Sequence, residues 1–350
     1  MTGPDPNALE IEPGIRMKLD EVGWQVAGRK IELIVEDDAF DPTLSVEKAK
    51  KLVGVDKVDV IFGSLLVSCS LAVSSYLTPY KIPQFTFVEM PPEGYLMGGR
   101  NVFCLNGQQR GVTQYLGAYA YNTLGYKTAA VLNQDFVAGE ELSQGFINGF
   151  QGAGGQVIQR QRVAMGTMDY APYVTAIKKA DCVAFWLLPE ESMRFMPLYF
   201  GSNLGMPLML IHGSFPNGML QAVGDSTLGM LSVHRWCETL DYPLNKQWTA
   251  AFTEATGKAP EYLGISGYEI ASVFLAAVQA TGGDTTPEVI NDAIRKVKID
   301  LPSGMTSFTD DGVGIGDLHI LQAQKVGGNV VWESIFTYNQ VPYVEGIMGQ

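Results

Sequence analysis

From Gly28 to Gly63 the chain switches between two hydrophobic periods, and that switch organises the whole reading. Lys30 to Val35 is β-branched and apolar, as a buried strand is, and it ends in the acidic turn Glu36-Asp37-Asp38. Asp41 stands where a helix N-cap belongs, with Pro42 at the first helical position, where its missing N–H costs nothing. Val46, Ala49, Leu52 and Val53 then recur at helical spacing. Val58 to Phe62 is read as a second strand running into Gly63-Ser64. A crossover of this length joins parallel strands. The loop after Phe62 is therefore expected at the carboxyl edge of a parallel sheet, where open α/β folds bind ligands.

The same alternation continues. A helix through Leu71 and Val73 to Leu77 is ended by Pro79, Ile82 to Val88 is a strand, and Val102-Phe103 leads into a helix near Thr113 to Leu124. The pattern restarts with a strand at Lys127 to Leu132, a loop at Asp135 to Gly139, and a helix at Glu140 to Gln151 that buries Leu142, Phe146, Ile147 and Phe150. Gln156 to Ala164 is strand-like, and Asp169 can cap a helix carrying Val174 and Ile177. Cys182 to Leu188 is nearly continuously apolar, as a strand covered on both faces is. A helix with Met193, Met196 and Phe200 follows, then a strand at Pro207 to Ile211. Late helices are expected around Trp248 and Phe252, at Ile265 to Ala280 and at Pro287 to Val297, before a strand-rich tail from Ser307 to Tyr343. The fold class is α/β, in two similar modules with mainly parallel sheets.

Composition narrows the function classes. A chain of 350 residues that is 46% hydrophobic and 17% charged is globular and long enough for two domains. Its net charge of -13 argues against nucleic acid or an anionic membrane as partner, without naming a ligand. No apolar run is read as long enough to span a bilayer. Met1-Thr2-Gly3-Pro4 carries no basic and apolar leader, so a secretory signal is expected to be absent or already removed. Cys69, Cys104, Cys182 and Cys237 lack metal-type spacing. They are expected to be buried thiols, with one disulfide left open as an alternative.

Catalytic signatures are missing: no phosphate loop, no GxGxxG opening a helix, no GxSxG elbow. His212, His234 and His319 have no ligand spacing, and Glu36-Asp37-Asp38 reads as a solvated strand end, so no metal or cofactor is expected. A binding protein is favoured over an enzyme.

The ligand-facing positions follow from the strand ends. Gly63 to Ser70 leaves a strand and opens a helix, and free N–H groups with serine hydroxyls beside them suit a carboxylate. The alternative is that these serines only cap the helix. The turn Phe87 to Met90 shares that edge. In the second module Asp135 to Gly139, Trp186 to Glu190 and His212 to Phe215 take the equivalent places. Phe87, Met90, Phe136, Trp186 and Phe215 are either core or pocket residues.

The order and spacing of several segments carry a resemblance. They are Gly28 to Leu33 with Glu36-Asp37-Asp38, Asp41-Pro42, Asp59 to Gly63, Gly166 to Tyr170, Gly267-Tyr268-Glu269, and Pro302-Ser303-Gly304 with Phe308 and Asp311-Gly312. Nearly end to end, the chain resembles the type I periplasmic solute-binding proteins of the leucine/isoleucine/valine-binding family, which serve ATP-driven importers. The resemblance implies two lobes, each a mainly parallel sheet flanked by helices, joined by a three-strand hinge. Lobe 1 would be 1–109 plus 237–317, and lobe 2 would be 110–236 plus 318–350. The implied ligand residues are Ser64, Leu66, Ser68 and Cys69 on the first turn and Thr86, Val88 and Met90 on the second. In lobe 2 they are Phe136, Gly139, Trp186, Ser214 and Phe215.

Two departures from the family follow. Its amino-acid binders hold the ligand ammonium with an acidic residue where this chain has Ser214, which leaves Glu89 and Glu190 as candidates. Its opening apolar strand, central in the sheet, is expected to be missing here, because Thr2-Gly3-Pro4 follows Met1 directly. The implied function is a monomeric solute-binding protein, periplasmic or lipid-anchored, that passes a small carboxylate to ABC permease subunits. An aromatic or hydrophobic acid is the first choice of ligand and a branched-chain amino acid the second. A cytoplasmic ligand sensor on the same fold, controlling a catabolic operon through a protein partner, is the alternative.

Overall fold

The computed structural model describes residues 9–91, 100–213 and 215–346. The chain divides into two compact units. One consists of Met1–Gln108, Asp241–Asp317 and Asn339–Tyr343, the other of Gln109–Leu240, Leu318–Tyr338 and Val344–Gln350.

In the first unit the helix Ile11–Glu21 packs against the long helix Tyr262–Ala280. Ile15, Leu19, Leu263, Ile270 and Leu275 share one buried cluster with Phe85, Phe103 and Phe308. A second, smaller cluster joins Ala49, Ile61, Val73 and Leu77. The helix Pro42–Lys51 starts as its sequence dictates: the Asp41 carboxylate accepts from the N–H groups of Thr43 and Leu44 at 2.7 and 2.9 Å. Three short parallel strands, Ile61–Phe62, Gln84–Phe85 and Val102–Phe103, make the sheet.

Two expectations are corrected here. Lys30 to Val35 is not a strand of that sheet: Arg29–Lys30 pairs antiparallel with Gln25–Val26, and Ile31 to Asp38 continues without strand pairing. Its apolar pattern suits a strand, but a strand exists only by hydrogen bonding to a neighbour, and among the described residues none pairs along it. Tyr262–Ala280, in turn, is long and apolar enough by length and composition to cross a bilayer. It is instead a core helix, mostly buried, whose buried Glu269 accepts a hydrogen bond from the Ser303 N–H at 2.8 Å.

The second unit is built on a longer sheet. Gln156–Val163, Thr128–Gln134, Cys182–Trp186, Leu208–Leu210 and Leu231–His234 lie side by side and parallel, and residues 319–322 close it antiparallel. Every residue of Cys182–Trp186 is buried, as the apolar run requires of an interior strand. The flanking Gln156–Val163 is exposed or half-buried at every position but Val163, as an edge strand is. All four cysteines are buried thiols, none in a disulfide.

Candidate functional site

The helix after Gly63 is Val67–Leu77, and no side chain caps it. Leu66 stands at its N-cap in extended conformation, and the first helical hydrogen bond runs from the Ser70 N–H to the Leu66 carbonyl at 2.8 Å. The N–H groups of Val67, Ser68 and Cys69 precede that bond and point away from the helix. The capping role considered for the serines is therefore not the one they play. Ser68 is exposed, while the Ser70 hydroxyl turns back to donate to the Ser64 carbonyl at 2.9 Å. Cys69 is fully buried, and burial pushes its thiol pKa up.

Buried Gln84 holds this turn in place. Its Nε2 donates to the carbonyls of Gly63 at 2.8 Å and Ser70 at 3.2 Å, and its Oε1 accepts from the Ser74 hydroxyl at 2.7 Å. The neighbouring turn Thr86 to Met90 is pinned in the same way. The Thr86 hydroxyl donates to the Val88 carbonyl at 3.1 Å, Asn106 to the Phe87 carbonyl at 2.7 Å, and the Cys104 thiol to the Val88 carbonyl at 3.2 Å. Met90 is fully buried, Glu89 is buried, and Val88 is half-buried. The sequence reading missed Gln84, Asn106 and Cys104. A polar residue inside a strand pattern was the available signal for Gln84.

In the second unit Phe136 and Trp186 come together with ring centroids 5.8 Å apart. Phe136 is the extended N-cap of the helix Val137–Gly152, and Trp186 is the last residue of its strand. Gly139 has a packing reason: a Cβ there would collide with the Gln134 carbonyl oxygen. Glu140, one residue on, accepts from Arg162 at 2.8 Å, Asn133 at 2.8 Å and Arg160 at 3.0 Å. The Arg162 hydrogen bond, foremost, holds its carboxyl below the usual range. Val137, the first residue of that helix, and Met165 and Met168, on the loop after Gln156–Val163, are exposed apolar side chains.

Phe215 is buried, and its carbonyl accepts from the Trp332 indole at 3.1 Å. Ser214 lies outside the described residues. Glu190 is solvent-facing beside Arg194, at 3.7 Å.

The sequence model of a family described as periplasmic binding protein matches residues 1–328. The chain belongs to that family. Among curated relatives of this periplasmic binding protein is the Leu/Ile/Val-binding protein homolog 6 of Brucella suis biovar 1 (strain 1330), 22% identical over 315 residues, 87% of this chain and 80% of the relative. Two solved solute-binding proteins of ABC transporters share its fold at 22% identity. The one from Rhodopseudomonas palustris HaA2, in complex with p-hydroxybenzoic acid, gives a TM-score of 0.90 over 100% of this chain and 97% of its own. The one from Rhodopseudomonas palustris BisB5, in complex with 3,4-dihydroxybenzoic acid, gives 0.85 over 96% and 93%. The fold is that of a type I periplasmic binding protein, a family of solute binders.

Proposed function

We propose that this chain is the solute-binding component of an ABC importer of the branched-chain amino acid type, and that its solute is a small aromatic or otherwise hydrophobic carboxylate. The observation that carries the reading is the uncapped start of the helix Val67–Leu77, with the exposed Ser68 hydroxyl beside it. Free main-chain N–H groups at the positive end of a helix dipole suit a carboxylate. In the second unit Phe136 and Trp186 offer the apolar surface that an aromatic ring would need. Two proteins of the same fold bind hydroxylated benzoic acids, which supports the same ligand class here. The protein would act as a monomer outside the cytoplasm, periplasmic or lipid-anchored, and would deliver its ligand to permease subunits.

A branched-chain amino acid is the second reading, favoured by the name of the Brucella relative. It needs a countercharge for the ammonium group, because burying that charge alone is costly. Glu190 is too exposed to supply one, which leaves Glu89, buried on the second turn.

Thermal shift against benzoate, 4-hydroxybenzoate, leucine and valine separates these readings. A ligand at 100 times its Kd stabilises the folded state by about 2.7 kcal/mol. The aromatic acids are expected to raise Tm. A rise with leucine or valine and none with either benzoate overturns the first reading.

A further inference from the structure

Arg235 is buried, with 3% of its surface exposed, directly after the strand Leu231–His234 of the second unit. A guanidinium stays charged at any pH at which proteins fold. Holding a cation away from water is costly unless groups of opposite polarity stand against it. Glu238, the acid nearest in sequence, accepts from Asn217 at 2.9 Å, and partial burial pushes its carboxyl up. In a chain of net charge -13, this strand end is a place where positive charge is kept inside.

Histidines gather at the same place. Leu231 lies opposite Met209 in the neighbouring parallel strand, a register that sets His234 opposite His212. Their rings are 5.1 Å apart and nearly perpendicular, and both are buried. On the other side His234 pairs with His319 in antiparallel register. All three histidines of the chain thus stand in one row. The Nδ1 of His234 lies 2.8 Å from the Trp236 carbonyl oxygen, which keeps a proton on that nitrogen. An anion brought to the row favours protonated imidazole, both of whose N–H groups are donors. The next parallel strand ends at Trp186, so an aromatic surface and the positive strand end follow one another along one edge, about 4.8 Å per strand.

Charge of this sign selects among solutes. An ammonium brought to this edge is repelled, and a hydrocarbon end gains nothing from a guanidinium. A carboxylate matches the planar fork with two parallel hydrogen bonds. We propose that Arg235, with His212 and His234 beside it, is a second anion-recognising pole, and that the solute is an aromatic dicarboxylate. The proposal rests on the reading above, in which one carboxylate is taken at the helix Val67–Leu77 and a ring at Phe136 and Trp186. The second carboxylate is what the strand end Leu231–His234 adds. A monocarboxylate satisfies the first anchor and the aromatic pair and leaves this pole unused.

The test is titration calorimetry of the full chain with benzoate, 4-hydroxybenzoate and each of the benzenedicarboxylates. At least one dicarboxylate is expected to bind about tenfold or more tighter than benzoate, as a hydrogen bond between charged groups gives. In Arg235→Gln that advantage is expected to disappear. A merely structural role for Arg235 changes both affinities and leaves their ratio standing. Where Arg235→Gln does not fold, Arg235→Lys keeps the charge but not the fork and is expected to lower the same ratio. Dicarboxylates that bind no tighter than benzoate overturn this inference alone. So does tightest binding by 4-hydroxybenzoate, or an advantage that survives substitution of Arg235. Binding of none of these acids overturns the reading above and this inference with it.

Discussion

The Nε2 of Gln84 lies 2.8 Å from the carbonyl oxygen of Gly63, so a buried amide on one strand fixes the shape of the turn that leaves the next. Gln84→Leu removes that donor and leaves the Gly63 carbonyl, the Ser70 carbonyl and the Ser74 hydroxyl with fewer partners. The loss is expected to cost about 1–3 kcal/mol, read as a lower midpoint in urea unfolding. An unchanged midpoint would show that the turn holds without it.

Ser68 is exposed and holds no part of the turn together. Ser68→Ala is expected to leave Tm unchanged and to weaken carboxylate binding by about 0.5–1.5 kcal/mol, the range for a single hydrogen bond. Titration calorimetry with 4-hydroxybenzoate checks this. Undiminished affinity would move the carboxylate anchor elsewhere.

Two glycines of one helix should answer oppositely to the same substitution. Gly139→Ala drives a methyl into the Gln134 carbonyl, a rigid main-chain neighbour, and is expected to destabilise by about 1–3 kcal/mol. Gly152, at the far end of that helix, has open space around its Cβ position. Gly152→Ala is expected to stabilise by about 0.4–1 kcal/mol through the unfolded chain. Chemical denaturation of both variants decides; a neutral Gly139→Ala would mean that the strand end yields.

Glu36 sets a pH dependence with a defined sign. Hydrogen bonds from Lys48 at 2.7 Å and Lys51 at 2.6 Å pull its pKa down from 4.5 to about 2. A carboxyl whose folded pKa is depressed contributes stability above its unfolded pKa and loses it as pH falls through the folded value. The Tm difference between the protein and Glu36→Gln should therefore be full above pH 4.5 and vanish towards pH 2. A difference that stays constant across this window would rule out the carboxylate as its source.

Burial should also silence the thiols. The pKa values of Cys182 and Cys237 are pushed up to about 12 and about 11 by desolvation. At pH 8 a disulfide reagent is expected to react slowly with the native protein and with all four cysteines after unfolding in guanidinium, since all four are buried and none is in a disulfide. A fast native reaction of even one thiol would contradict this.

The features legible in the sequence were those decided locally. Asp41 and Pro42 start their helix because the cap and the N–H donors it accepts from lie within three residues, and Gly257 ends another at φ +73°. The apolar run at Cys182 declared an interior strand for the same reason. Gly139 was found as a position but not for its cause, which is contact with a strand end. Gln84 stands out only as a polar residue in a strand pattern; its role is hidden because its partners at Gly63 and Ser70 lie 21 and 14 residues away. Ile31 to Val35 carries the pattern of a strand and forms none among the described residues, since pairing belongs to two segments and a sequence displays one at a time. Phe136 and Trp186 were each read as core or pocket, and their meeting depends on two strands being neighbours.

The tight contact between the helices Ile11–Glu21 and Tyr262–Ala280 has a consequence for biosynthesis. A Cβ at Gly14 would collide with the Gly264 carbonyl, and one at Gly267 with that of Ile11, so each helix needs the other's backbone close by. On the ribosome the first emerges long before the second. At about 5–20 residues per second, the nascent helix waits roughly 10 to 50 s for its partner. Residues 109–240 of the second unit are synthesised within that interval, but its segments Leu318–Tyr338 and Val344–Gln350 come later still, so neither unit can finish folding until the chain is nearly complete. The apolar face of the first helix is a natural client for a holding chaperone during translation.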